Sequence, residues 1–191
     1  MSQPLSPELL LWAYQRGLFP MGEEDGSVEW YFPDPRGIFD LERFHIPKRL
    51  RQTIRKRVFE TRFDHNFEGV MRGCADRPET WINEPIIKVY TALFHMGKAH
   101  SVEAYWNKKL VGGIYGVSLG GAFMGESMFS KKTDASKICL VSLVQHLRER
   151  EFSLFDVQFL NPHLVRFGAH EIPAEIYLKR LHWALKQNCS F

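Results

Sequence analysis

Between residues 99 and 130 the spacing of apolar residues changes from helical to alternating, and that change limits what the chain can fold into. Ser101–Trp106, Leu110–Leu119 and Ala122–Phe129 form three alternating runs, separated by Asn107-Lys108-Lys109 and by Gly120-Gly121. Successive side chains of a strand point to opposite faces, and short turns rich in Asn and Gly join antiparallel neighbours. The stretch therefore predicts a three-stranded antiparallel meander, with the remaining elements arranged around it.

Most of those elements are helices. Ser6 caps the first, which has Pro7 in its opening turn, an apolar side of Leu9, Leu10, Ala13 and Tyr14, and Gly17 at its end. Phe19–Pro35 reads as loop and turn with one short strand, and a boundary falls at Pro33-Asp34-Pro35. Ile38–Leu41 and Phe59–Phe63 read as strands on either side of a basic helix at Pro47–Arg57. Asp64 is placed to cap the next helix, whose apolar side is Phe67, Val70, Met71 and Cys74. Another runs from Asn83 to Gly97. After the meander come a long helix following Asp134, a strand at Leu154–Phe159, a short helix at Asn161–Phe167 and a final one at Pro173–Lys186. The predicted class is α+β, with a small N-terminal domain at residues 1–34 and a mainly antiparallel sheet flanked by helices over residues 35–191.

At 191 residues with 45% hydrophobic and 14% aromatic residues, the chain has enough apolar surface to build a core, which excludes a disordered chain. A net charge of +3 says little about partners unless the charge is clustered. The three cysteines, Cys74, Cys139 and Cys189, are widely spaced and form no CxxC pair, so they read as reduced thiols of a cytoplasmic protein. No run approaches the length of a membrane span, and the first residues do not read as a signal peptide. The histidines show no HExxH or other compact metal spacing, and Walker A and GxGxxG are absent, so neither a metal nor a cofactor is expected.

Three stretches carry candidate chemistry. In the basic helix, Lys48, Arg49, Arg51, Arg55, Lys56 and Arg57 are uninterrupted by acids between Glu42 and Glu60. Such a face is either a solvated surface or a contact for a phosphate backbone. In Gly125-Glu126-Ser127-Met128-Phe129-Ser130, regular alternation would put Met124, Glu126 and Met128 on one face, and a carboxylate among methionines needs a cationic or hydrogen-bonding partner. Ser127 is not a nucleophile elbow, because Phe129 stands where glycine is required. In Asp156-Val157-Gln158, two polar side chains project together from an apolar strand, either as a structural fixture or as functional groups. The loop Lys131-Lys132-Thr133-Asp134 before the long helix has no glycine, whereas an acyl-coenzyme A enzyme usually wraps a pyrophosphate there with a glycine-rich turn.

Seven strings occur in order along the chain: Tyr14-Gln15-Arg16-Gly17-Leu18-Phe19-Pro20, Thr80-Trp81-Ile82, Ala99-His100-Ser101-Val102-Glu103, Val111-Gly112-Gly113-Ile114-Tyr115-Gly116-Val117, Gly125–Ser130, Ala135-Ser136-Lys137 and Asp156-Val157-Gln158. Together they resemble the leucyl/phenylalanyl-tRNA-protein transferases, over nearly the whole length. The resemblance implies an acetyltransferase-like (GNAT-type) C-terminal domain. It also implies transfer of Leu, Phe or Met from aminoacyl-tRNA to proteins beginning with Arg or Lys, which marks them for degradation by the bacterial N-degron pathway. It assigns catalysis to Asp156, Gln158 and Glu126, and the aminoacyl side-chain pocket to Ile114, Met128, Leu140, Leu143 and Phe155. The tRNA 3′-adenosine falls to Tyr14, Trp81, Tyr90 and Phe123, and the acceptor stem to Lys48, Arg49, Arg51 and Arg55. The chain departs from the family at Met21, where many members have Trp, and at Leu143, where some have Phe.

The chemistry is self-consistent without metal or nucleotide. The aminoacyl ester is already activated, and the attacking protein α-amine has a reference pKa of about 7.7–8.0, so part of it is neutral near pH 7. Asp156 is expected to orient Gln158 by hydrogen bonding, Gln158 to hold the amine, and Asp156 with Glu126 to supply negative charge beside it. A monomer is expected. Two other readings fit the residues less fully: an acyl-coenzyme A N-acyltransferase, and a non-catalytic RNA-binding module.

Overall fold

The computed structural model describes residues 5–23 and 25–191. Its centre is the predicted meander: β5 (Ala99–Trp106), β6 (Lys109–Leu119) and β7 (Ala122–Ser130), each antiparallel to the next. The first turn places Asn107 and Lys108 at φ +49° and +61°, the conformation a two-residue hairpin turn requires. The sheet continues on both sides to seven strands in the order β4 (Glu60–Phe63), β5, β6, β7, β8 (Leu154–Gln158), β3 (Arg36–Phe39) and β9 (His170–Ile172). All neighbours are antiparallel except β7 and β8.

Two apolar cores form, one on each face. In the first, Tyr115, Val117 and Met124 of the sheet meet α1 (Pro7–Tyr14), α3 (Phe67–Ala75), α4 (Glu84–His95) and α7 (Ala174–Ala184). In the second, Ile114, Phe123 and Phe155 meet α2 (Lys48–Arg55), α5 (Ala135–Glu149) and α6 (Pro162–Val165). Alternation along the strands supplies both, since Ile114 and Tyr115, or Phe123 and Met124, necessarily point opposite ways. Helix starts follow the sequence signals: Ser6, Asn83 and Asn161 each accept a hydrogen bond from a backbone N–H of the first turn. No helix among the described residues is long and apolar enough to cross a membrane.

Four local expectations need correction. Phe19–Pro35 holds a complete hairpin, β1 (Phe19–Gly22) paired with β2 (Val28–Tyr31), rather than a single strand. The strand β9 has no counterpart in the sequence reading; with three residues it is too short for a periodic signal. Asp64 does not cap α3. Asn66 does, accepting from Gly69 N at 3.1 Å, while Asp64, at φ +53°, turns to the sheet and accepts from Ser101 N at 2.8 Å.

The fourth lies at Glu126. Regular alternation would place Met124, Glu126 and Met128 on one face, but β7 is bulged. Gly125 pairs with Gly116 and Ser127 with Tyr115, which leaves Glu126 as the extra residue. Parity therefore flips: Met124 packs in the first core and Met128 against the second.

Candidate active site

The parallel pairing of β7 with β8 lasts three residue pairs and ends at Met124 opposite Asp156. Past that point Gly125–Met128 and Val157–Phe159 line the two sides of a cavity of about 270 Å³. Ile114, Met128, Leu140, Phe155, Val157 and Leu164 make its walls apolar, while Glu126 and Gln158 give it a polar end. Gly125 keeps the wall open, because a Cβ there would lie 2.9 Å from the Phe155 ring. Met21 and Trp81 stand together at the wall, positioned by a hydrogen bond from Gly22 N to the Trp81 carbonyl (3.1 Å).

Glu126 is half-buried and held by groups from three elements. Tyr14 Oη, from α1, donates to Oε1 at 2.7 Å, and Tyr90 Oη, from α4, lies 3.3 Å from Oε2; the two hydroxyls also contact each other. Gln158 Nε2, from β8, donates to Oε1 at 3.2 Å. Burial pushes the Glu126 carboxyl up to about 8; the tyrosine hydrogen bonds oppose that rise, and the charge of Asp156 adds to it. Burial, reinforced by the nearby carboxylate, also pushes both tyrosine hydroxyls well above their ordinary range.

Asp156 is fully buried, and all its acceptor capacity is used inside the protein. Arg36 Nε and Nη2 donate to Oδ1 and Oδ2 at 2.9 and 2.7 Å in a bidentate pair. Tyr177 Oη donates to Oδ2 at 2.8 Å, and Gln158 N to Oδ1 at 2.9 Å. Arg36, also fully buried, donates its remaining Nη1 to the Gly17 carbonyl at 2.8 Å and stacks 4.4 Å above the Tyr177 ring. Asp156 therefore adds no free charge to the cavity. Its bond to the Gln158 backbone, not the side chain, holds Gln158 at φ +55°, a left-handed conformation that is strained for a residue with a Cβ.

Of the residues singled out from sequence, the structure gathers Glu126, Gln158, Ile114, Met128, Leu140, Phe155 and Trp81 around one cavity. Leu143 is buried in the second core with Leu140 and does not line the cavity. Tyr14, Tyr90 and Phe123 are also buried: the first two clamp Glu126, and Phe123 packs against Phe155 and Phe191. These three rings offer no open face on which a base could stack, whereas half-buried Trp81 lines the cavity. Lys48, Arg49, Arg51 and Arg55 lie on α2, with Arg49 and Arg51 exposed, Arg55 exposed beyond them and Lys48 at the helix start. Sequence reasoning missed Arg36 and Tyr177, the two partners of Asp156. Among the described residues, no group of three or more His, Cys, Asp or Glu is placed to hold a metal ion.

Comparison with known proteins identifies the family. The family described as leucyl/phenylalanyl-tRNA protein transferase matches residues 38–182, and that family's N-terminal domain matches residues 3–34. The chain is 53% identical over 188 residues to a leucyl/phenylalanyl-tRNA–protein transferase of Rubrobacter xylanophilus, covering 98% of each chain. It is 50% identical over 192 residues to one of Herpetosiphon aurantiacus, covering 100% of both. Among solved structures, a ribosomal-protein-alanine N-acetyltransferase from Brucella melitensis is similar over 50% of this chain and 76% of its own, with 14% identity and a TM-score of 0.39. The near-complete coverage at half identity settles the assignment: this chain belongs to the leucyl/phenylalanyl-tRNA protein transferase family and is an aminoacyltransferase.

Proposed function

We propose that the protein transfers Leu, Phe or Met from aminoacyl-tRNA to the N-terminal Arg or Lys of proteins, working as a cytoplasmic monomer on an acetyltransferase-type sheet, and that the product is destined for bacterial N-degron degradation. The observation that supports this best is the apolar cavity with Glu126 and Gln158 at its polar end. A cavity of about 150 Å³ lined by Leu, Ile and Phe already takes up benzene. A cavity of about 270 Å³ leaves room for a leucyl or phenylalanyl side chain together with its ester. A charged or polar side chain set against the walls of Ile114, Met128, Leu140 and Phe155 would be desolvated without a partner there.

In the proposed reaction the ester carbonyl lies near Gln158, and the α-amine of the acceptor protein attacks it. The C–N bond forms, the C–O bond to the ribose breaks, and the ribose oxygen takes up the proton through water or its neighbouring hydroxyl. Gln158 donates its amide N–H to Glu126, which leaves its carbonyl oxygen to accept from the attacking amine. Glu126 supplies the compensating charge: an approaching ammonium favours its ionised form and draws its pKa back toward the ordinary carboxylate range. Asp156 is a positioning residue that fixes the Gln158 backbone. Trp81, with Met21 beside it, offers the surface for the terminal adenine, and the cations of α2 contact the acceptor stem. Catalysis on this reading rests on holding two substrates together, which is sufficient for an activated ester.

The test is transfer of radiolabelled Leu from Leu-tRNA to peptides starting with Arg, Lys or Ala. Transfer to the first two alone is expected. Acetyl-coenzyme A-dependent modification, or tight tRNA binding without transfer, would overturn the reading.

A further inference from the structure

A second cavity, of about 700 Å³, adjoins the first and shares with it Arg77, Met128, Leu140, Asn161 and Leu164. The first is walled mainly by apolar groups. The second is lined by four cations, Arg77, Lys131, Lys132 and Lys137, against two carboxylates, Asp134 in its lining and Asp76 at its edge. They come from two places in the fold: the loop after α3 gives Arg77, and the segment joining β7 to the first turn of α5 gives the lysines. Three of the four are held in place. Lys132 Nζ sits 3.6 Å from the centre of the Trp106 ring, Lys131 pairs with Asp76 at 3.0 Å, and Lys137 pairs with Asp134 at 2.7 Å. Ser130 Oγ ties the loop down, donating to the Lys132 carbonyl at 2.8 Å and accepting from Ser136 N at 3.3 Å. On its far side the wall meets the basic helix, where Thr53 Oγ1 of α2 donates to Asp134 Oδ2 at 3.4 Å.

The order in space is thus an apolar slot, a cationic trough, then the basic face of α2. An aminoacylated RNA end has the same order of chemistry: an apolar side chain on an ester, then the phosphodiesters of a single strand, then a duplex. Resting on the function proposed above, we propose that the trough formed by Arg77, Lys131, Lys132 and Lys137 binds the single-stranded phosphodiesters immediately 5′ of the terminal adenosine, bridging the aminoacyl slot to the helix that meets the duplex. Single-stranded phosphate binding of this kind is salt-dependent and indifferent to sequence.

Three substrates separate the trough from its neighbours: phenylalanyl-adenosine, which has no phosphodiester; a phenylalanylated CCA trinucleotide; and Phe-tRNA. The variants are the double Lys131→Gln/Lys132→Gln and, as a comparison, Lys48→Gln/Arg51→Gln on α2. The trough variant is expected to raise KM for the trinucleotide and for Phe-tRNA about tenfold, with a far smaller change for phenylalanyl-adenosine. It should also flatten the logarithmic salt dependence for the trinucleotide by about 0.7 for each phosphate that is no longer neutralised. The α2 variant should weaken Phe-tRNA but spare the trinucleotide. Direct binding of uncharged CCA trinucleotide to wild type and trough variant gives the same comparison independently of turnover. The trough is refuted by a trinucleotide KM and salt slope that match wild type, or by equal losses for the trinucleotide and phenylalanyl-adenosine. If wild type transfers from none of the three substrates, the proposed function itself falls, a result distinct from failure of the trough alone.

Discussion

Replacing Asp156 by Asn leaves shape and volume almost unchanged and removes one charge from the most enclosed part of the site. The partner, Arg36, is fully buried, and its charge is matched in the first instance by this carboxylate, through bonds of 2.9 and 2.7 Å. Breaking a buried pair by removing one member costs about 3–5 kcal/mol, because the other charge is left uncompensated away from water. For a chain of 150–250 residues, 1 kcal/mol moves Tm by about 2–4 °C, so Asp156→Asn should lower Tm by about 6–20 °C. Calorimetry on Asp156→Asn, Arg36→Met and the double variant provides the check. Each single variant strands one charge and the double variant strands none, so the double should be less destabilised than the two singles combined. A Tm drop of less than about 2 °C for Asp156→Asn, or simple additivity in the double, would refute the argument that this pair holds the site together. Exposed pairs such as Arg72–Glu84 are screened by solvent and make a poor comparison for such a loss.

Gln158→Gly should abolish transfer while leaving Tm equal or higher, since glycine relieves a left-handed backbone that costs about 1–2 kcal/mol for a residue with a Cβ; a marked fall in Tm would show that the amide holds structure rather than substrate. Glu126 is more readily protonated in the folded protein than in the unfolded chain, so the folded state binds the extra proton and stability should fall as pH rises from about 4.5 toward about 8. Glu126→Gln should remove that slope from a Tm-against-pH series between about pH 5 and 9, and a variant profile parallel to wild type would contradict the assignment. Val157→Leu narrows the cavity by one methylene and should reduce kcat/KM for Phe more than for Leu, by about tenfold, in a competition assay with both aminoacyl-tRNAs; an unchanged ratio would mean that the side chain lies elsewhere.

What could be read from the sequence follows the range of the forces involved. The meander and the helix starts at Ser6, Asn83 and Asn161 were legible because their signals lie within a few residues of their effect. The bulge at Glu126 was not, because a single extra residue reverses facing without disturbing the pattern of apolar letters. Arg36 follows Pro35 in a stretch that reads as a boundary, and nothing nearby marks it as buried, since its carboxylate is 120 residues away. The same distance effect hid the role of Tyr14, which lies 112 residues from the Glu126 it clamps. The Gly-Glu-Ser and Asp-Val-Gln strings fall on the two strands beside the cavity and stand out in the sequence because a polar group in an apolar strand needs a partner, whether that partner is local or not.

The Arg36–Asp156–Tyr177 cluster also governs when the site can come into being. Its members are drawn from the first fifth, the last quarter and the final helix of the chain. During synthesis Arg36 emerges long before either partner, and a guanidinium cannot enter the interior until a carboxylate is there to meet it. A product truncated ahead of β8 could complete the meander but would have to keep Arg36 in water, with β3 deprived of the strands it pairs with. Such fragments would be exposed to proteolysis, and only a chain synthesised through α7 would close the cavity beside Glu126 and Gln158.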